Sequence, residues 1–379
     1  MIQYRIAEAK DRESILDFIN MVFSMLRIPH NFENMLPKAY SKELGKMDIH
    51  VLAEEEGKLR GCLGLYVFPL TICGRMLHVG YLGSMSVHPS ARGQGIMGEL
   101  MRRQIARGEE LGLDMLVLGG QRQRYQYSGF ETVGANYTYS ISKANVRHVL
   151  TSATDASIQF EIMEPYHVDA ALKIYNQQLV AGARTKDNFI ACLKSYHKEA
   201  LAIIEEGHLV GYISCDPNKQ FINEIVLSDS VSAATVLKAW FVHYPIKSLH
   251  IQVAPHDINL NQFLAPICES YSISPNCMLR VLKYENIIAA YFDLKRKISS
   301  IECGERIIGL EGKGTYCISI TDDNISVTQT DLVADLTLND RSLCQLLFDS
   351  NPYTMMAERA VMPSNWLPLP FHIAEPDSF

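Results

Sequence analysis

"SVHPSARGQGIMGEL", residues Ser86 to Leu100, sets a proline, an arginine and three glycines between an apolar strand and a helical pattern. A glycine inside a helix costs about 1 kcal/mol relative to alanine. Gly93, Gly95 and Gly98 thus stand where a helix must start for some reason other than helix formation. A bound anion supplies one. It is met by backbone N–H groups and by the positive end of the helix dipole.

Three anion loops compete for this stretch, beside a plain glycine-rich turn. A Walker loop requires Lys-Ser/Thr after the last glycine, and Glu99-Leu100 stands there. A dinucleotide fingerprint matches "GQGIMG" in spacing, but the following strand, Asp114–Gly120, lacks the acidic residue that holds a ribose. The third is a strand ending in V-x-P, then R-x-x-G-x-G/A, then a helix. Val87-x-Pro89, Arg92 and Gly95 fit it, with one departure: Met97 fills the last small position and Gly98 follows. After the next strand comes "RYQYSGFE", a tyrosine-x-x-x-glycine-phenylalanine. These two motifs, in this order, resemble the coenzyme A loop and the downstream signature of the GCN5-related acetyltransferases.

Bulk properties bound the rest. The chain has 379 residues, 47% hydrophobic and 20% charged, long enough for two or three domains. Nine cysteines without a C-x-x-C pair suggest neither zinc nor a disulfide framework, and point to a reducing cytosol. The isolated histidines suggest no metal. A net charge of −7 argues against nucleic acid and for cationic ligands. No stretch approaches the ~20 apolar residues of a membrane span, and the charged start does not read as a signal peptide.

Working outward, "AKDRESILDFINMVFSML" carries Ile15, Phe18, Ile19 and Phe23 at helical spacing. "IHVLAEEEGKLRGCLGLYVFPL" reads as a hairpin turning at Glu56-Gly57, "VGYLGSMSV" as a strand, and "ETVGANYTYSIS" as a closing strand. The hairpin "EEGKLRG" (55–61) recurs as "EEGHLVG" (205–211), again after a helix, "YHVDAALKIYNQQLV". This predicts a second copy of the domain. Its corresponding region, taken as "KAWFVHYPIKSLH", has no glycine, so only the first copy is expected to bind the anion and do chemistry. After Lys283 come a hairpin at Asp323-Asn324, a strand, and a helix capped by Asn339 or Asp340. The tail "MPSNWLPLPFHIAEPDSF" is rich in proline yet carries Trp366, Leu367, Leu369, Phe371 and Ile373, which favour burial.

This layout resembles the Eis-like family (enhanced intracellular survival). The resemblance implies an α/β (α+β) chain: a catalytic GCN5-related domain at 1–150, a degenerate copy at 151–285, and a sterol-carrier-protein-like domain at 286–379 whose tail returns to the active site. It further implies acetyl-CoA as cosubstrate without metal, a primary amine as acceptor (aminoglycoside, polyamine or lysine type), and a cytoplasmic oligomer, a hexamer in the family. Matched onto this sequence, Met85, Ser86 and Val87 would hold the thioester and pantetheine through backbone. Arg92, Gly93, Gln94, Gly95, Ile96, Met97 and Gly98 would take the pyrophosphate, and Gly120 and Gln121 would lie by the pantetheine. Tyr125 would be the general acid, with Tyr127 as rival, and the carboxylate of Phe379 the base, with Asp377 as alternative. The basic residues Arg102, Arg103, Arg122 and Arg124 either support the phosphates or form a solvated face. His88 is expected to be structural, and "FSMLRIPHNFENMLPKAY" to line the acceptor pocket. The competing readings are an acetyl-CoA or lipid sensor without turnover and acyl transfer to a peptide N-terminus.

Overall fold

The structure is a computed structural model that describes residues 1–25, 28–151 and 157–379. Part of the predicted acceptor wall, at 26–27, lies outside the described residues. The first sheet has the order Gln3–Ile6, His50–Glu55, Lys58–Ile72, Arg75–Val87, Met115–Leu118, Cys277–Val281, Glu131–Val133, with Val180–Gly182 also paired to Lys58–Ile72. The second runs Ser270–Ser274, Asn136–Ser142, Ser248–Val253, Phe221–Leu227, His208–Cys215, Glu199–Glu205, Ile158–Ile162. Both repeated hairpins turn at a Glu-Gly pair with positive φ, Glu56-Gly57 and Glu206-Gly207, the backbone a two-residue hairpin needs.

Sequence and structure part at the joints. "ETVGANYTYSIS" is two strands in two different sheets: Glu131–Val133 stays in the first, and Asn136–Ser142 pairs between Ser248–Val253 and Ser270–Ser274 of the second. In return Cys277–Val281 crosses from the second copy into the first sheet, between Met115–Leu118 and Glu131–Val133. The sheets therefore cross the expected boundary at 150. Alternation tells which face of a strand is buried but not which sheet receives it, because pairing partners are set by tertiary contact.

Two more differences have the same origin. The helix that follows the second copy's cleft strand is Ala233–His243, so the counterpart of the glycine loop is Ser228–Ser232, not the later "KAWFVHYPIKSLH". Five residues suffice there, because the Ser232 hydroxyl accepts from the Ala234 N–H and caps the helix. The third sheet, Ile325–Thr330, Gly314–Ile320, Gly304–Leu310 and Leu336–Leu338, shares one continuous core with the first sheet. That core includes helix Tyr284–Ile298, helix Asp340–Phe348, and Trp366, Leu369, Phe371 and Ile373 of the tail. Fully burying each such side chain contributes roughly 1.5–3 kcal/mol, enough to offset the ordering of a proline-stiffened segment. The tail is packed from Met362 onward.

Glu131 ties the pieces together. Burial works against its charge, but Arg122 (2.8 Å) and Arg341 (2.9 Å) hold its carboxyl below the ordinary range. Arg122 is thus committed to a structural ion pair, and Arg341 pins the third segment to the first through the same carboxylate.

Candidate active site

Strands Arg75–Val87 and Met115–Leu118 run parallel from Val79↔Met115 to Leu82↔Leu118 and then separate. A cleft opens between Gly83–Val87 on one side and Gly119–Gln121 on the other. On its far flank, pairing with Lys58–Ile72 slips between Cys62↔Ser86 and Gly64↔Gly83. Ser84 and Met85 are left without register partners, and Ser84 adopts φ +56. A non-glycine residue in this region carries strain of order 1–3 kcal/mol, which marks sites where backbone groups are turned out of the ladder.

Above the cleft, Arg92, Gly93, Gln94 and Gly95 form an exposed loop into helix Ile96–Glu110. Gly95 is the N-cap at φ +77, Gly93 has φ +80, and a Cβ at either would meet open space. The loop is free to receive a ligand, and its backbone demands glycine. The Arg92 side chain has no hydrogen bond or ion pair among the described residues, so its charge is available. Ile96 is buried against Gly61, so only its backbone can serve an anion. Gly98 is helical and uncrowded; neither φ nor space requires glycine there. Arg102 and Arg103 both bind Glu99, at 2.6 and 2.7 Å, and form a solvated face. His88 caps the turn Pro89–Ala91 through Ser90 and stacks on Phe18.

Across the cleft the chain turns helical at Arg122–Tyr125 rather than extended, so Tyr125 and Tyr127 are separated by a helical twist and not by alternation. Tyr125 lies on Gly120, where a Cβ would fall 2.6 Å from its ring. Burial raises its pKa, against a smaller opposing effect of Arg124. Tyr127 is 87% exposed. Of the two, only Tyr125 is held in place beside the cleft.

Phe379 is buried at the bulge. Its ring stacks on Tyr40 and packs tilted against Tyr66, centroids 5.8 and 5.6 Å apart. A Cβ on Gly83 would lie 2.7 Å from a terminal oxygen of Phe379 and 2.9 Å from its carbonyl carbon. Only glycine at 83 lets the terminus reach the backbone there. Asp377, the alternative base, is committed elsewhere. Burial works against its charge, but Arg184 binds both its oxygens, at 2.8 and 3.0 Å, and its carboxyl sits below the ordinary range.

Several residues at this centre carry no sequence motif. His50 Nδ1 lies 3.0 Å from the Met47 carbonyl, which can only accept, so Nδ1 carries the proton. Its Nε2 then accepts from the Tyr40 hydroxyl at 2.9 Å, and Tyr40 accepts from Ser84 at 2.6 Å. Burial pulls the His50 pKa down to about 4, so this relay ends in a weak base. Lys38 donates to the Pro376 carbonyl at 2.6 Å and stands over the Tyr66 ring; burial lowers its pKa to about 8. The available signal was the glycine of "LGLY" (63–66), since Gly64 faces Gly83 across the hairpin and leaves a bare floor for a ring.

The open loop, free N–H groups, separated strands and unpaired Arg92 fit a pyrophosphate and an extended pantetheine arm. Substituting Gly95 by Val should therefore raise the coenzyme A dissociation constant by about 100-fold or more, whereas Gly98→Ala should leave it unchanged. Calorimetry on the full chain checks both, with one site per chain expected. Two equivalent sites would show that the second copy binds as well.

Residues 3–134 match the family model "Acetyltransferase (GNAT) domain". No curated protein matches the chain in sequence. Solved structures share the fold throughout. A GCN5-related N-acetyltransferase from Kribbella flavida is 16% identical, with all of both chains covered and a TM-score of 0.73. One from Anabaena variabilis is 16% identical with TM-score 0.71, and Eis1 from Mycobacterium abscessus is 15% identical with TM-score 0.65, again over 100% of both chains. No helix among the described residues is long and apolar enough to cross a membrane. With its glycine loop, its parted strands and a matching domain model, residues 3–134 carry a GNAT acetyltransferase domain, set in a chain whose overall fold Eis1 shares.

Proposed function

We propose that the protein transfers acetyl directly from acetyl-CoA to a primary amine of polyamine, aminoglycoside or lysine side-chain type, within a ternary complex. The observation that carries this reading is the terminal oxygen of Phe379 lying against Gly83, beside the unpaired Ser84 and Met85. In this reading the backbone of Met85 to Val87 holds the thioester and pantetheine, with Gly120 and Gln121 opposite, and Arg92 to Gly98 takes the pyrophosphate.

The reaction needs a neutral amine, a polarised carbonyl and a protonated leaving thiolate. The amine nitrogen bonds to the carbonyl carbon and gives its proton to the Phe379 carboxylate, directly or through water. The C–S bond then breaks and the thiolate takes the Tyr125 phenolic proton. A terminal carboxyl is a weak base in water, near pKa 3.5, and desolvation strengthens it. The surroundings support this assignment by removing its rivals: His50 is held neutral and hydrogen-bonded, His88 caps a turn, and Asp377 is paired with Arg184. The third segment, a four-stranded sheet packed with helices Tyr284–Ile298 and Asp340–Phe348, is read as sterol-carrier-protein-like. The hexamer and the cytoplasmic location rest on the family resemblance alone.

Thiol release from acetyl-CoA across an amine panel is the test. Turnover with a cationic amine is expected. Binding of coenzyme A with no thiol released by any amine or peptide would instead favour a sensor. Appending a few residues after Phe379 moves the terminal charge and leaves Asp377 in place. That extended chain should lose turnover while retaining coenzyme A affinity, and wild-type turnover would remove the terminal carboxylate as base.

A further inference from the structure

The second copy repeats the cleft of the first with its chemistry inverted. Strands Phe221–Leu227 and Ser248–Val253 run parallel only at Phe221↔His250 and Ile222↔Ile251, then part as the first pair does. A slip in pairing near Asn223, between Ser214↔Glu224 and Cys215↔Ile222, reproduces the bulge. The parted strands enclose a cavity of about 660 Å³, within the size range of small-molecule sites. Where the first copy has Arg92 and glycines, this one has Ser228–Ser232 with Asp229 exposed.

Its walls carry Glu224, Asp229, Asp257 and Asp377. Arg184 compensates only part of that charge, and Lys297 is the one lysine in the wall. Two histidines complete it. His372 is 8% exposed and His256 lies 6.0 Å from it, ring to ring. His256 Nδ1 and His372 Nε2 are buried without a hydrogen-bond partner among the described residues, an arrangement native interiors rarely leave without a ligand or water. Burial keeps both imidazoles uncharged, with pKa values down to about 4 for His256 and about 3 for His372. They add no positive charge to the acidic wall and offer lone pairs to N–H donors.

From the acidic wall and the two unpartnered imidazoles lining this cavity, we propose that the second cleft is a binding site for a small polyamine, separate from the acetyl-CoA site. Coenzyme A is excluded there by charge. Ammonium groups would meet the carboxylates and the imidazoles, and the backbone between them would lie along the parted strands. One wall is the tail itself, through His372, Ala374 and Asp377, so an occupant touches the segment that brings Phe379 to the first copy. Only the class of ligand is shared with the function proposed above, and the site stands whether or not polyamines are acetylated.

The full chain, without acetyl donor, is titrated with spermidine by calorimetry, and its histidine side chains are followed by NMR, with His256→Gln and His372→Gln used to assign the two signals. One binding event is expected that moves both signals, weakens with salt, and is absent with a neutral diol of similar length. Asp229→Lys, at an exposed position, should weaken that event about tenfold or more and leave thiol release with a monoamine unchanged. The proposal is overturned if neither imidazole responds at saturating spermidine, if the diol binds as well, or if Asp229→Lys titrates like the parent. A chain that shows the site but no acetyl transfer fails the function reading alone.

Discussion

Tyr125→Phe should lower turnover by about 10²–10⁴-fold and leave coenzyme A affinity nearly unchanged, the pattern of a lost general acid. The phenol sits on Gly120 beside the cleft, and burial raises its pKa, so it is protonated at neutral pH and able to donate. Phenylalanine retains the packing and removes only the proton. Tyr127→Phe should change little, because that side chain stands 87% in solvent. Steady-state kinetics of both variants, with calorimetry for coenzyme A, separate the two roles. If Tyr127→Phe carried the larger loss, the donor would be Tyr127 and the alignment through Gly129 would be shifted.

What the sequence shows of this centre is its backbone half. Arg92, Gly93, Gly95 and the tyrosine before Gly129 are legible because a tight glycine turn demands particular dihedrals and spacings over a few neighbouring residues. The paired Glu-Gly hairpins are legible for the same local reason. The side-chain half is not. Tyr40, His50 and Ser84 form one hydrogen-bonded chain from three separate elements, and each type is ordinary in a core or a turn. The exchange of Asn136–Ser142 for Cys277–Val281 leaves no mark in the local sequence of either strand, because pairing partners are set by tertiary contact. Arg184 could not be selected either. Its two carboxylate partners, Glu224 and Asp377, come from a strand of the second copy and from the tail. The tail's own composition did foretell its burial, since Trp366 and Phe371 are wholly covered.

Arg184→Leu should destabilise the chain by about 3–5 kcal/mol, because a buried cation held by two carboxylates is removed and both are left without it. Arg184 is 6% exposed, binds Glu224 at 2.8 Å and Asp377 at 2.8 and 3.0 Å, and lies over the Tyr175 ring. Tyr212 keeps a hydrogen bond to Glu224, and Tyr175 one to Asp377, so the site relaxes only in part. The pH dependence shows which contact is lost. Asp377 is held below its ordinary pKa in the folded chain, so its contribution is present above the unfolded value near 3.9 and is lost as pH falls through the folded value. In Arg184→Leu the desolvation of the carboxyl is no longer opposed by Arg184, and the charged form becomes the costly one. The parent should therefore lose stability on acidification below about pH 4, whereas the variant should lose part of that dependence or reverse it. Turnover reads the tail separately. Asp377 stands two residues before Phe379, and Lys38 and Asn223 hold Pro376 and Glu375. Freed at Asp377, the terminus should leave Gly83 often enough to cut turnover about tenfold in protein that is still folded, with coenzyme A affinity retained, since the glycine loop is untouched. Denaturant unfolding at pH 3.5 and pH 7, with turnover measured below the unfolding transition, tests all of this. A variant that loses stability but turns over like the parent would show that Arg184 braces the fold without placing the carboxylate.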